Sequence, residues 1–486
     1  MGQVGVLGKS ITSGKWLSIG YIIQRSIGIV SFLILARILS PEDFGVMAII
    51  LIVPSFLQTA TEMGFYPAII QSEGEFKKYL NPIWTIGILK STIILILTFL
   101  LGPIIADFLN AQHVSTAIRL GGIFSFVLRL SNPEEVSVYR NVEFKNVFIR
   151  DTTRELTYII IAVISALLLK SYWALIIATF CAKSAQTIVT HLQYSFRPKL
   201  SFKWNQLKEL FKYSKWIIGQ GWLNQIYGAV ESFTVARTTG IHDMGLYTKG
   251  KNLASIGPGF ISSIMNAVSF SAYSRIKDSK EKINDGFKKS LDVLFFFVVP
   301  VGFLLLIAGG KLIIIFLGEK WIAMTHTMQI MFFYFTLNLI IEILYSLFNG
   351  IGHPQKKVKM DVIKIVLTVA LIIPLTKTYG IEGAAFALLL GILPILVITI
   401  VHLKRLTAIK YKEILKTLYS PILLSIFMVM PIILLKDSFL SWSSIMLLLY
   451  GITSGIFYLL GTYLMGKKLN TGPYQTLAII FHYVVK

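Results

Sequence analysis

GKWLSIGYIIQRSIGIVSFLILARILSPEDFG, residues 14–45, returns 200 residues later as SKWIIGQGWLNQIYGAVESFTVARTTGIHDMG, residues 214–245. At that single offset Lys15, Trp16, Gly28, Val30, Ala36, Arg37, Asp43 and Gly45 meet Lys215, Trp216, Gly228, Val230, Ala236, Arg237, Asp243 and Gly245. Unrelated stretches of this length would share roughly two or three residues. The chain therefore reads as two related halves, each opening with the same helix–turn–helix. In a membrane protein, paired halves imply a site between them and a rocking motion about it.

Composition makes the membrane assignment. Hydrophobic residues are 55% of the 486, charged residues 14%, and mean hydropathy is +0.71. A soluble domain carries about 25% charge. Apolar stretches of about 20 residues recur along the chain, each long enough to cross a ~30 Å hydrocarbon core. The expected architecture is an all-α polytopic membrane protein of about fourteen transmembrane helices. The expected spans are 14–36, 43–65, 82–103, 114–131, 151–169, 172–192, 213–236, 246–270, 287–308, 323–349, 358–377, 382–402, 416–435 and 441–465. Two parallel six-helix repeats form lobes around a central cavity, and two further helices follow. The division is 1–192 for the first lobe, 193–212 for a cytoplasmic amphipathic linker and 213–402 for the second lobe. Residues 403–466 hold the extra helices and 467–486 an interfacial tail.

Orientation follows from lysine and arginine, which accumulate on the cytoplasmic side of short loops. Basic connections (Lys77 and Lys78; Arg140, Lys145 and Arg150; the 197–212 cluster; Lys356, Lys357 and Lys359) alternate with short, nearly cation-free turns at 40–43, 238–243 and 377–383. An even span count then places both termini in the cytoplasm. The same alternation explains the net charge of +22 without nucleic acid. The first apolar segment runs on into Ala36-Arg37 with no small-residue cleavage site, so it is expected to be retained. The single cysteine, Cys181, and seven scattered histidines leave no disulfide and no metal site to expect.

Polar positions recur at helical spacing. Gln220, Asn224, Gly228 and Glu231 share one face of span seven, and Gly20, Gln24, Gly28 and Ser31 the matching face of span one. Span eight adds Ser255, Gly259, Ser262, Asn266 and Ser269, and span two Ser55, Thr59 and Glu62. Small and polar residues are ordinary helix–helix glue in membranes, so packing and a cavity lining both account for the glycines and serines. Ionisable groups at depth require water or a partner. Arg25 lies about halfway along span one, and Lys90, Arg119, Lys249 and Lys251 also fall within spans. Arg25 either faces a cavity or pairs with Glu62 or Glu231, and Lys249 or Lys251 can snorkel to the interface. Six deep cations (these five and Lys183) stand against four acids, Glu62, Glu231, Asp292 and Glu342. A cationic lumen suits a phosphate-bearing substrate, for which arginine offers a bidentate fork. The candidate substrate contacts are Arg25, Gln24, Lys90, Arg119, Asn224, Lys249, Lys251 and Asn266, with Glu62 and Glu231 as candidates for ion coupling. Arg37, Asp43 and Gly45, matched by Arg237, Asp243 and Gly245, read as a structural turn closed by an Arg–Asp pair, the glycine allowing close approach. Gly257-Pro258-Gly259 reads as a hinge or a static kink. No Walker A, GxSxG or HExxH motif is present, so a transporter rather than an enzyme is expected.

ARILSPEDFGVMAIILIVPSFLQTATEMGFYPAIIQ, residues 36–71, resembles the bacterial polysaccharide exporters of the Wzx type, a branch of the multidrug/oligosaccharidyl-lipid/polysaccharide exporter superfamily. The resemblance rests on Ala36, Arg37, Leu39, Pro41–Gly45, Gly64 and Ala68–Gln71, with GEKW at 318–321 and NGIGHPQ at 349–355. It implies alternating-access flipping of undecaprenyl-diphosphate-linked oligosaccharides across the bacterial cytoplasmic membrane, for surface polysaccharide synthesis. The implied partners are that glycan, membrane lipids, a polysaccharide polymerase with its chain-length machinery, and a coupling proton or sodium ion. No cofactor is implied. The alternative within the superfamily is cation-coupled export of drugs or other small molecules, which calls for a predominantly acidic cavity.

Overall fold

The computed structural model describes residues 3–60, 76–141, 143–262, 280–350, 355–406, 411–435 and 442–469. Among the described residues all regular structure is helical. The first half supplies α1 (Gln3–Ile38), α2 (Pro41–Ala60), α3 (Lys77–Phe108), α4 (Ser115–Arg129), the short α5 (Ser137–Asn141), α6 (Phe144–Leu169) and α7 (Trp173–Gln193). The second supplies α8 (Trp204–Thr239), α9 (Ile241–Ala254), α10 (Lys280–Phe316), α11 (Thr325–Gly350), α12 (Gln355–Leu406), α13 (Tyr411–Leu434) and α14 (Ser444–Leu469).

Ten described helices are long and apolar enough to cross a membrane, or eleven if the pair 112–129 and 133–141, bent by 71°, is one span. That is fewer than the fourteen expected, for identifiable reasons. The expected seventh span is the polar α8, and the eighth runs on beyond the described residues. The expected eleventh and twelfth merge in α12, whose 52 residues would run roughly 78 Å if straight. They do not run straight: Gly380 leaves the helical region at φ 60°, ψ −141°. A Cβ built on Gly383 would lie 1.9 Å from the Leu375 carbonyl oxygen, and one on Gly391 2.2 Å from Thr368 Oγ1. Contacts that step outward in opposite directions along the chain define an antiparallel hairpin, so α12 folds back on itself.

Contacts gather the chain into two compact units, Met1–Gly245 and Leu246–Lys486. In the first, α1 lies on α6, where Trp16 and Phe148 stack with ring centroids 5.1 Å apart. The α3–α4 hairpin closes on glycines: a Cβ on Gly122 would be 2.6 Å from Cα of Leu95, and Gly102 gives the same room to Arg119. Gly121 seats α4 against the Ile50 carbonyl of α2. In the second unit, Phe296 of α10 packs with Leu424, Met428 and Val429 of α13 and Tyr458 of α14. The Tyr458 hydroxyl donates to the Phe296 carbonyl at 2.9 Å.

The duplicated turn explains why α8 and the start of α9 belong to the first unit. Gly45 and Gly245 meet each other. A Cβ on Gly45 would lie 1.9 Å from the Ile241 carbonyl oxygen, and one on Gly245 1.8 Å from that of Pro41. Each glycine also has the other's backbone nitrogen 3.0 Å from that Cβ position. The contact is reciprocal, as a local two-fold between the copies requires. The repeat boundary and the compact-unit boundary are thus different divisions of the chain.

In the first copy, the turn ends in a capping box. Ser40 Oγ accepts from the Asp43 amide at 3.2 Å, and the Asp43 carboxylate accepts from the Ser40 amide at 2.8 Å and hydroxyl at 2.7 Å. Pro41 occupies the first helical position, where its missing N–H costs nothing. The second copy replaces Ser40 by Gly240, at φ +89°, and stops α8 with a different device. Ser40→Ala should lower stability by about 1 kcal/mol, seen as a lower thermal unfolding midpoint, whereas Thr239→Ala outside the box should change it much less.

The linker differs from expectation. No separate amphipathic helix forms, because no glycine or proline interrupts the chain between Trp204 and Trp216, and residues 204–212 become the first turns of α8. Residues 194–203 run extended instead. An extended strand outside a sheet must find partners for its backbone, and side chains of the first unit supply them. Asn132 Nδ2 donates to the Phe196 carbonyl at 2.8 Å, and Glu134 accepts from the Phe196 amide at 3.1 Å. Asn81 and Thr85 accept from the Lys199 and Ser201 amides, each at 2.8 Å. The linker is strapped onto one end of the unit.

Candidate functional site: an open polar face on α1 and α8

The repeated face changes character along α1. At one end Gly20 lies against Phe148, whose Cδ2 would be 3.1 Å from a Cβ built on the glycine. At the other, Ser31 and its counterpart Glu231 on α8 are both 2% exposed. Between them the face is open. Among the described residues, no heavy atom lies within 4 Å of a Cβ built on Gly28 or Gly228. Arg25 and Asn224 are exposed and Gln24 is half-buried. Glycines that serve packing make sub-van der Waals approaches, as Gly45, Gly122 and Gly383 do; Gly28 and Gly228 do not. Among the described residues Arg25 pairs with no carboxylate. A charge near the middle of a span faces water or a polar cavity in preference to hydrocarbon.

The other candidates are dispersed. Lys90 is half-buried on α3. Arg119 lies in the α3–α4 contact, its guanidinium over the Phe99 ring at 5.3 Å. Lys249 and Lys251 are half-buried on α9. Glu62 and Asn266 lie outside the described residues. Arg37 and Arg237 are exposed; Arg237 sits over the Phe108 ring at 5.6 Å. Asp43 is engaged by Ser40, and Asp243 Oδ1 lies 3.2 Å from His242 Nδ1. Through Gly257-Pro258-Gly259 the chain stays helical after a turn at Ser255, the Gly259 amide donating to the Ser255 carbonyl at 2.8 Å. Gly259 also faces open space.

Two arrangements escaped sequence reasoning. In the second unit the Glu342 carboxylate, mid-way along α11, accepts from Ser262 Oγ at 2.7 Å and from Asn338 Nδ2 at 2.9 Å. This engages one member of the span-eight face. In the first unit Arg150 bridges Glu135 at 2.9 Å and Asp151 at 2.8 Å. Burial pushes the Glu135 carboxyl above the usual carboxylate range, against the opposing pull of Arg150. The only local signal was an acid pair, Glu134-Glu135, inside an otherwise basic connection.

A helical bundle with duplicated halves, membrane-length helices and an open polar face bearing an arginine defines a polytopic membrane transporter. The chain belongs to the Polysaccharide biosynthesis protein family, whose model matches residues 34–326. It is 23% identical over 432 residues to the lipopolysaccharide biosynthesis protein WzxC of Escherichia coli (strain K12), covering 86% of each chain. It is 23% identical over 291 residues to the succinoglycan biosynthesis transport protein ExoT of Rhizobium meliloti (strain 1021), covering 59% of this chain and 58% of that one. Among solved structures, the lipid II flippase MurJ in an inward closed conformation superposes with a TM-score of 0.73 at 15% identity, over 93% of this chain and 99% of that one. An inward-facing multidrug transporter of the MATE family gives 0.62 at 13% identity, over 81% and 98%. These likenesses establish the shared fold.

Proposed function

We propose that this chain flips undecaprenyl-diphosphate-linked oligosaccharide repeat units from the inner to the outer leaflet of a bacterial cytoplasmic membrane, for surface polysaccharide synthesis. The observation that carries the reading is the open face of α1 and α8: Arg25, exposed and facing no described carboxylate, beside Gln24 and the unpacked Gly28, with Asn224 exposed on the repeat-related helix. Arg25 supplies the charged fork for a diphosphate, and Gln24 and Asn224 the neutral donors that orient it. The family and the names of WzxC and ExoT support the polysaccharide pathway. The excess of deep cations over acids disfavours the drug-export alternative.

On this reading fourteen spans make two six-helix lobes and two additional helices, with both termini cytoplasmic. Lys90, Arg119, Lys249, Lys251 and Asn266 serve as further substrate contacts. Glu62 and Glu231 carry a coupling proton or sodium ion, and Gly257-Pro258-Gly259 bends during alternating access. A polymerase and its chain-length machinery receive the product. The test is a deletion strain probed for lipid-linked repeat units. Their accumulation on the cytoplasmic leaflet, relieved by the wild-type gene, is expected; normal surface polysaccharide in a strain with no second transporter would overturn the proposal.

A further inference from the structure

A second polar cavity, of about 200 Å³, lies within the first unit, and none of its lining residues belongs to α1 or α8. It is lined by Trp84 of α3, Ser125 and Arg129 of α4, Glu135, Arg150 of α6 and Gln186 of α7. We propose that this cavity binds an oxyanion of the phosphate class, with Arg129 as its principal ligand.

The argument starts from which charges are already satisfied. Arg150 is held by Glu135 and Asp151, and Glu134 by Lys77 and the Phe196 amide. Arg129 is left over. Its stem packs across Gly87, Cδ lying 2.5 Å from a Cβ built there, so the side chain is held in place and only the guanidinium is free to turn to the cavity. That guanidinium makes no hydrogen bond among the described residues, although it feels the Glu135 charge. Arg150 takes up both nearby carboxylates, so the Arg129 guanidinium is a charged donor set with no hydrogen-bond acceptor among the described residues.

The neutral groups point the same way. Gln186 is 8% exposed, lines the cavity and makes no hydrogen bond among the described residues. Trp84 Nε1 is buried with no partner. Buried donors without partners cost about 1–3 kcal/mol each, and buried polar groups are otherwise almost always paired. Guanidinium and indole groups can only donate, so the missing partner must accept from both. The size suits a group larger than a single water. A phosphate group accepts from several directions and fits the guanidinium fork bidentately.

The turn at 131–135 links this cavity to the linker. Ser131, Pro133 and Glu135 face the cavity, while Asn132 and Glu134 between them hold the strap at Phe196. An occupant of the cavity and the linker joining the two repeats therefore share one turn. A lipid headgroup phosphate and a free phosphate or diphosphate offer the same chemistry.

The test uses the full-length protein purified in phospholipid-free detergent, titrated calorimetrically with inorganic phosphate and diphosphate. Saturable binding at one site is expected, weakened at least tenfold in Arg129→Gln and measurably in Trp84→Phe. Trp84→Phe removes the N–H with part of the indole and leaves every charge in place, so it answers the question even if the arginine variant fails to fold. Repeating the diphosphate titration in nanodiscs of phosphatidylcholine and of phosphatidylglycerol separates the sources. Weaker apparent binding in phosphatidylglycerol identifies a competing anionic headgroup; equal binding identifies a soluble anion. No binding by the wild type in detergent, or binding that both substitutions leave unchanged, overturns the proposal and leaves a water-filled cavity. Failure here would not touch the flippase reading, which rests on α1 and α8.

Discussion

Gly45→Ala is expected to destabilise the protein, by up to about 2 kcal/mol, although it adds only one methyl group. The new Cβ would lie 1.9 Å from the Ile241 carbonyl oxygen, and the atom it meets is backbone. No rotamer change relieves a clash with a helix carbonyl, so α2 and the start of α9 must move apart by about 1 Å or more to reach ordinary contact. Overpacking typically costs ~1–3 kcal/mol, set against a gain of about 1 kcal/mol in helix propensity for alanine over glycine. The net loss should appear as a lowered unfolding midpoint and reduced export. Gly245→Ala, facing the Pro41 carbonyl at 1.8 Å, should do the same. The double variant should cost much less than the sum, because one separation of the helices relieves both clashes. Gly28→Ala and Gly228→Ala, which meet no described atom within 4 Å, should leave stability unchanged or slightly raised. Equal stability of Gly45→Ala and Gly28→Ala would refute the crossing.

The contrast between these glycines bears on what the sequence could reveal. The repeat matches Gly28 with Gly228 and Gly45 with Gly245 equally well; Gly45 and Gly245 read as close-approach positions, while packing and a cavity lining account equally for Gly28 and Gly228. Only coordinates separate the pair that touches from the pair that lines open space, since identity at a position carries no information about what faces it. The hairpin within α12 was legible because a polar, glycine-containing turn interrupts two apolar runs of membrane length. The extended strap at 194–203 was not. Its partners Asn81, Thr85, Asn132 and Glu134 are 60 to 120 residues away and obey no periodicity. The Arg150–Glu135–Asp151 network was hidden for the same reason: in sequence, Arg150 is one more cation in a basic connection. The Ser40–Asp43 box shows the reverse case, a motif whose members lie within four consecutive residues.

Two arginines of the first unit should respond oppositely when truncated, and the comparison decides whether the α1 face is a binding surface. Arg150 is a structural cation: its side chain is 14% exposed and bonded to both Glu135 and Asp151. Removing one member of a buried pair leaves the others charged and unpaired, a loss of about 3–5 kcal/mol. Arg150→Ala should therefore lower the unfolding midpoint sharply and reduce the amount of folded protein, with export falling in proportion. Arg25 is exposed and faces no described carboxylate, so Arg25→Ala leaves no described partner stranded. It should unfold at the wild-type temperature, reach the membrane in wild-type amount and still accumulate lipid-linked repeat units. Arg25→Lys should recover part of the export, since a point charge replaces the forked donor. Loss of stability in Arg25→Ala comparable to that in Arg150→Ala would make Arg25 a structural residue. Normal export by a stable Arg25→Ala protein would remove it from the substrate path and shift attention to Gln24 and Asn224.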